Sequence, residues 1–392
     1  MDKRGIEKVT LGGWYQRTTL HLTEIFDFFS RGESRLNLDK EKLLELWKAL
    51  SVVSVTREMK ELERVYIKTR EGIEICYYED GLYTLEIKLG NIEEAVSLLK
   101  EFYEKKFAPA VNYIFSLGAP TPKILSNMKD HHPIIVRVIS NNPRGYGIDE
   151  KKFGKVYSEI SHKEITVKKT ANFIFIIVSG LIKRDLDTLA EMQIFFREFK
   201  DQLKRYLEIH RVLWEKIDLI IEKESIKGKD VEKKLNQLED YSKTINLINF
   251  RINQMDSYSE TRASISKDLN IQEHLISLFQ YRFEDLTNSL NYIKELWSAT
   301  IEHVSSTIDV LKEIEDRTQS SNLESIKLIT SVGVISIVLG YLATEDYPTI
   351  TQAGIISFVI LAVVALLGEF ILRFWAKNKK YSLELGEVDT KI

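Results

Sequence analysis

From Asn270 to Lys327 the chain has no glycine or proline, and apolar residues return at helical spacing: Leu286, Leu290, Ile293, Trp297, Ile301, Val304, Ile308 and Leu311. Leu290, Trp297, Val304 and Leu311 stand seven apart, the repeat of a helix packed lengthwise on others. The pattern predicts one helix from Leu269 to Ala343, a stalk over 269–323 that runs without a break into a more apolar C-terminal stretch. There the rhythm changes. Ser331–Leu372 is two apolar runs around a short acidic loop. Leu328–Ala343 carries no charge, and Ala353–Trp375 carries only Glu369 and Arg373. With its flanks each run reaches the ~20 residues that cross a hydrocarbon core of ~30 Å. Residues 324–376 therefore read as two transmembrane helices joined by an outer loop at 344–352. Arg373, Lys377, Lys379 and Lys380 follow the second run, whereas Thr344–Gln352 has no lysine or arginine. That bias places the loop outside and both termini, including the tail 377–392, in the cytosol. The expected location is the cytoplasmic membrane, crossed more than once.

Two further helical stretches precede the stalk. Leu181 to about Ile226 carries an apolar stripe through Leu186, Leu189, Phe196, Phe199, Leu203 and Leu207, and a second stretch runs from about Asp230 to Lys267. The break Ser225–Asp230 joins them, so 181–268 reads as a helical hairpin. Before residue 180 the period shortens. Runs at Val65, Gly72, Leu82, Pro133, Glu164 and Asn172 have the β-branched and aromatic content of strands, and Glu79–Gly81 joins the second and third as a hairpin turn. A helix begins at Asn91, which caps it, and a shorter one follows Ile148. The fold class that results is an α+β membrane protein: a cytosolic α/β domain over 1–180, the helical hairpin, the stalk helix and two C-terminal transmembrane helices.

Composition narrows the chemistry. The 392 residues carry a net charge of −3, so no basic field points to nucleic acid, and no direct nucleic-acid binding is expected. One cysteine, Cys76, excludes an intrachain disulfide. The opening MDKRGIEKVT has no apolar segment behind its charges, so no signal peptide is expected. Asp130–His132 reads as a polar loop, and Arg144–Gly147 as a turn, since no Gly-Lys-Ser/Thr follows it. No Ser/His/Asp or Cys/His constellation is recognisable, and no enzymatic activity is expected. Glu369 inside the second run is either a helix-end partner of Arg373, four residues on, or part of a transport path.

The order of a cytosolic α/β domain, helical hairpin, long stalk, two spans and Lys-rich end resembles the CorA family of divalent metal-ion transporters, including its zinc-handling ZntB branch. The most specific part is Glu324–Lys380. The resemblance implies a homopentamer in membrane lipid whose first spans surround a pore. It also implies a divalent cation, magnesium or another, as the transported or regulatory ion, gated by the cytosolic domain. This chain departs from the family at the outer end of the first span. Where a Tyr/Gly-Met-Asn signature is expected it reads Gly340-Tyr341-Leu342-Ala343, so it would be a divergent member. A different outcome of the same layout is a nucleotide- or ligand-gated membrane effector, as in CorA-like proteins associated with type III CRISPR defence. A further one is a non-conducting scaffold on a membrane anchor.

Asn322, Ser325, Ile329, Gly333, Ser336 and Gly340 are spaced 3, 4, 4, 3 and 4 apart and share one helix face. All but Ile329 are small or polar. They line a pore or let helices pack closely. If the stripe faces an axis, Ile329 is an apolar gate, and Ile293, Thr300, Thr307 and Ile314 continue the rings down the stalk. Tyr341, Glu345 and Asp346 then form the outer mouth, where the carboxylates gather cations; otherwise the loop is simply polar. By the same resemblance, Asp309, Glu313 and Asp316 are the stalk carboxylates placed for a regulatory metal, unless Lys312 and Arg317 pair with them.

Overall fold

The computed structural model describes residues 5–15, 21–59, 62–118, 133–179, 186–221 and 225–342, with isolated positions from 356 to 382. They form two compact units. One comprises Met1–Ile209 with Leu247–Glu295, the other His210–Asn246 with Leu296–Ile392.

The first unit is built on a sheet of nine strands: β1 (Gly5–Trp14), β2 (Val52–Glu58), β3 (Arg64–Thr69), β4 (Glu74–Tyr78), β5 (Leu82–Ile87), β6 (Ile134–Ile139), β7 (Ser158–His162), β8 (Ile165–Lys169) and β9 (Phe173–Val178). Their order is β2-β3-β4-β5-β1-β6-β9-β8-β7. Among the described residues only β6 and β9 pair in parallel. Six of these strands coincide with the runs the sequence marks. The other three, β1, β2 and β7, lack its signal. Strands β2 and β7 are edge strands of mixed polarity, and β1, at the centre, ends in Gly12-Gly13.

The sheet has two unlike faces. Val9, Leu11, Val65, Ile67, Ile75, Tyr77, Leu85 and Val136 point to one, where they form a continuous apolar core with Phe28 and Phe29 of α1 (Leu22–Arg31), Leu43 of α2 (Lys40–Ala49), Leu99 and Phe102 of α3 (Ile92–Phe102) and Val111 of α4 (Ala108–Gly118). Local chemistry sets these helices. The Asp39 side chain caps α2 at the Lys42 N–H, and Asn91 caps α3 at the N–H groups of Glu93 and Glu94. Gly32 closes α1 in the left-handed region at φ 69°. Between α3 and α4 the helix widens into a π turn, Tyr103–Phe107. One helical turn, α5 (Glu150–Phe153), follows β6.

The opposite face meets α6 (Leu186–Ile221) and α7 (Gly228–Asp268). The approach is close at Gly12, where a Cβ would stand 2.9 Å from the Tyr83 carbonyl oxygen and 2.5 Å from Ile194 Cδ1 of α6. Trp14 stacks on Phe199 of α6 at 5.9 Å and meets Tyr258 of α7 edge-on.

After α7 come α8 (Gln272–His274), a π turn Leu275–Phe279, and α9 (Phe283–Leu342), a helix of 60 residues. The stalk therefore starts later than Leu269. Gln280 takes φ 58°, and its N–H bonds back to Ile276, which ends the preceding turns without a glycine or proline.

In the second unit α6, α7 and α9 continue. Leu213 and Ile217 of α6 are buried, as are Val231, Leu235 and Leu238 of α7 and Val304 and Leu311 of α9. Trp214 of α6 stacks on His303 of α9 at 4.8 Å, and Asp218 lies 3.6 Å from the same imidazole. Two short strands, β10 (Ser225–Lys227) and β11 (Lys380–Ser382), pair antiparallel.

The expectation of a membrane protein fails here, and with it the multi-pass location in the cytoplasmic membrane. The chain is α+β, with a nine-stranded sheet and long helices, and among the described residues no helix is long and apolar enough to cross a membrane. The physical reason lies in α9. Its uncharged end, Leu328–Leu342, falls short of the ~20 apolar residues that a core of ~30 Å requires, and Glu324 and Lys327 precede it on the same helix. The outer loop and most of the second expected span lie outside the described residues.

The axial rings expected along the stalk are also corrected. Thr300 and Thr307 are buried beside Trp297 and Val304 within the single chain, as are Ile293 and Ile314. Both seven-residue series face the chain's own helices. The threonine hydroxyls donate to the carbonyls of Leu296 and His303, each at 2.8 Å, so burial leaves neither without a bond.

Candidate functional site

Alternate residues of β1, β3, β4, β5 and β6 point away from the apolar core, and on this face they are charged or polar: Lys8, Thr10, Arg64, Tyr66, Glu74, Tyr78, Glu86 and Arg137. In a solvated sheet such alternation is routine. Here helices cover it, so these groups must satisfy one another. The Lys8 ammonium sits between Glu74 at 2.9 Å and Glu86 at 3.0 Å. Burial alone would lower the Lys8 pKa, but the two carboxylates outweigh it and hold the ammonium above its ordinary value. Burial alone would raise Glu74. Hydrogen bonds from Lys8 and Tyr66 reverse that and hold it below the usual carboxylate range. Arg137, fully buried, donates to Thr10 at 2.9 Å, reaches Glu86 at 2.5 Å and pairs with Asp187 in the first turn of α6.

A second network adjoins a cavity of about 630 Å³, lined among others by Arg64, Tyr78, Asp187, Glu191 and Arg262. Its anchor is the β4–β5 turn. Asp80, fully buried, accepts the Leu82 N–H at 3.1 Å, fixing the hairpin, while its carboxylate takes Nε and Nη2 of Arg262 at 2.7 and 3.1 Å. Arg262 comes from α7 and lies over the rings of Tyr78 and Phe195. Arg64 donates to Glu58 at 2.8 Å and to the Tyr78 hydroxyl at 3.2 Å. Tyr78 in turn hydrogen-bonds the Glu191 carboxyl of α6. Burial pushes Glu191 above the usual carboxylate range, against the pull of Tyr78, Arg262 and Arg64. Tyr78 is raised as well, first by burial and then by Glu191. The Cys76 thiol, on the same sheet face, is pushed up to about 12 by burial and is not a nucleophile at neutral pH.

The Glu191 carboxyl holds a proton more tightly folded than unfolded. A group of this sign contributes stability that is fully present below its unfolded pKa, near 4.3, and is lost as pH rises through its folded value. Glu191→Gln mimics the protonated form and keeps an acceptor for Tyr78. Urea midpoints measured from about pH 4 to neutrality should fall less steeply for Glu191→Gln than for the wild type, by at most one bound proton. Parallel curves would show that Glu191 ionises normally.

The residues singled out in the sequence lie elsewhere. Asn322, Ser325, Ile329, Gly333, Ser336, Gly340 and Tyr341 all belong to α9, so the small-residue spacing runs along one unbroken helix. Apart from its own helix, a Cβ on Gly333 would meet no atom of the described residues within 4 Å. Glu345 and Asp346 lie outside the described residues. Asp309, Glu313 and Asp316 are exposed on α9. Among the described residues no group of three or more His, Cys, Asp or Glu could hold a metal ion. Sequence reasoning missed Asp80, Glu191 and Arg262. The available signal was a lone Glu191 within the apolar run of α6 and charges at every second position of otherwise apolar strands.

A search of solved structures finds the CorA magnesium transporter of Methanocaldococcus jannaschii. The chain is distantly similar to it. Identity is 11%, the match covers 63% of this chain and 91% of that one, and the TM-score is 0.20. A score this low carries no argument about activity. No family model matches the chain, and no curated protein does.

Proposed function

We propose that this protein is a ligand-responsive effector whose α/β unit is the sensor. The observation that carries the reading is the cavity of about 630 Å³ with Arg64, Tyr78, Glu191 and Arg262 in its wall. A roomy cleft with converging polar groups, one of them with a displaced pKa, is the common form of a small-molecule site. Its position suits a sensor. Asp187 and Glu191 occupy the first two turns of α6, and α6 runs on to Ile221. A ligand that changes the partners of those side chains acts at the start of a long helix. Small nucleotides and other polar metabolites are the ligand classes to screen.

The test is a thermal-stability screen of the full chain with nucleotides and polar metabolites. A true ligand at about 100 times its Kd stabilises by ~2.7 kcal/mol, a shift of a few degrees. The shift should shrink in Tyr78→Phe. A broad screen in which nothing moves the wild-type midpoint would count against the reading.

A second reading is a CorA-like homopentamer that gathers a divalent cation, magnesium or another, along its α9 helices. It is favoured by the continuity of α9 through Asn322 and Gly340 and by the open space around Gly333. Placement in a membrane forms no part of it. Native mass measurement of the full chain tests it, and a monomer or dimer would exclude it.

A further inference from the structure

The charges around the cavity do not pair off completely. Arg64 is held by Glu58, its Nε and Nη2 donating to one carboxylate oxygen at 2.9 and 2.8 Å. Arg262 is held through two bonds by Asp80. Asp187, the other carboxylate of the lining, is paired with the buried Arg137. Glu191 is left over. It has the Tyr78 hydroxyl as its hydrogen-bond partner and, among the described residues, feels Arg262 and Arg64 as attracting charges without a direct bond to either. Among the described residues no lysine lines the cavity. Apart from Thr188, the rest of the described wall is apolar: Met59, Leu62, Met192, Ile265 and Leu269.

An anionic ligand would meet this site at a disadvantage. It would have to draw Arg64 or Arg262 from a carboxylate that already holds it through two donors, and it would face Asp187 and Glu191 as like charges. A cation would face the same two guanidiniums, but each already has its own carboxylate. It finds one carboxyl that neither guanidinium bonds directly, in a setting where water competes weakly and an ion pair is correspondingly strong.

Resting on the ligand-responsive reading, we infer that the cavity takes a small ligand with a cationic nitrogen that ion-pairs with Glu191 and an apolar body that lies against Met192 and Ile265. A proton accompanies the event. In the empty site burial favours the neutral carboxyl; when the cation arrives, the proton leaves Glu191 for solvent and the carboxylate remains as the partner. The groups that face Glu191 are Tyr78 and Cys76 of β4, Arg64 of β3, Glu86 of β5 and Arg262 of α7. Arginines stay charged and Tyr78 is raised, so the pH response between acid and neutrality comes from the carboxyls. Cation binding strengthens as pH rises through that range.

The experiment uses the full chain and two probes with the same body and opposite heads, 4-phenylbutylamine and 4-phenylbutyrate, read by calorimetric titration and by thermal midpoint. The amine should bind at least about tenfold more tightly than the carboxylate. Glu191→Gln should lose about tenfold or more for the amine, while Glu191→Asp, which keeps the charge, should lose less. Released protons should appear as a dependence of the measured heat on the buffer. If the carboxylate binds more tightly, or if Glu191→Gln keeps the amine affinity, the charge class is wrong while the cavity stands as a ligand site. If neither probe binds the wild type, the inference is overturned, and the sensor reading is then decided by its own screen.

Discussion

Asp80→Ala lowers the stability of the α/β unit by about 3–5 kcal/mol. The figure is that of a buried ion pair broken from one side. Arg262 and Asp80 expose almost nothing, at 2% and 0% of their side chains. Removing the carboxylate leaves a guanidinium inside the protein with aromatic faces but no counter-charge, and the desolvation cost of that ion is no longer offset. The turn suffers too, because Asp80 also holds the Leu82 N–H. The double variant Asp80→Asn with Arg262→Met should recover much of the loss, since it removes the stranded charge and keeps a side chain that fixes the turn. Urea unfolding followed by circular dichroism measures both. A loss under about 1 kcal/mol for Asp80→Ala would mean that water reaches the pair and that it behaves as a surface ion pair.

The second large effect is in the other unit. Trp297→Ala should cost about 3–5 kcal/mol, the range for truncating a buried aromatic side chain. Trp297 is wholly buried and meets His210 edge-on at 5.8 Å. It sits in the same buried row as Thr300 and Val304. The neighbouring Thr300→Val, which replaces a hydroxyl already bonded to its own helix, should be close to neutral, because nothing else depends on that oxygen. If these positions lined an open path, the order would reverse: the tryptophan would be tolerated and the threonine would matter. Thermal unfolding of the two variants separates the cases.

The two rhythms of the chain were legible in unequal degree. Period-two runs such as Val65–Thr69 and Ile134–Ile139 became strands because β-branched residues there fill a core on one side. The seven-residue repeat of α9 became a buried row for the same reason. What that repeat could not say was which surface would cover it. The sequence suggests copies of the chain around an axis, whereas α6 of the same chain supplies His210 to Trp297 of that row and Trp214 to His303 beside it. The reading of a membrane-spanning start rested on the lack of charge after Lys327, and a run without charge is not yet a run of sufficient length. The candidate site was hidden by a different ambiguity. Polar alternation in a strand has one appearance whether the face meets water or a helix, and only the close approach of Ile194 to Gly12 decides between them.

The Asp80–Arg262 pair joins positions 182 residues apart in the sequence. On a ribosome adding about 5–20 residues per second, roughly 10–40 s pass between the synthesis of the β4–β5 turn and the arrival of its partner. During that interval the hairpin exists without the guanidinium that neutralises its inward carboxylate, and until α6 has been made that face of the nascent sheet has no helix over it. The order of synthesis thus leaves the polar face of the sheet incomplete until α7 has been made.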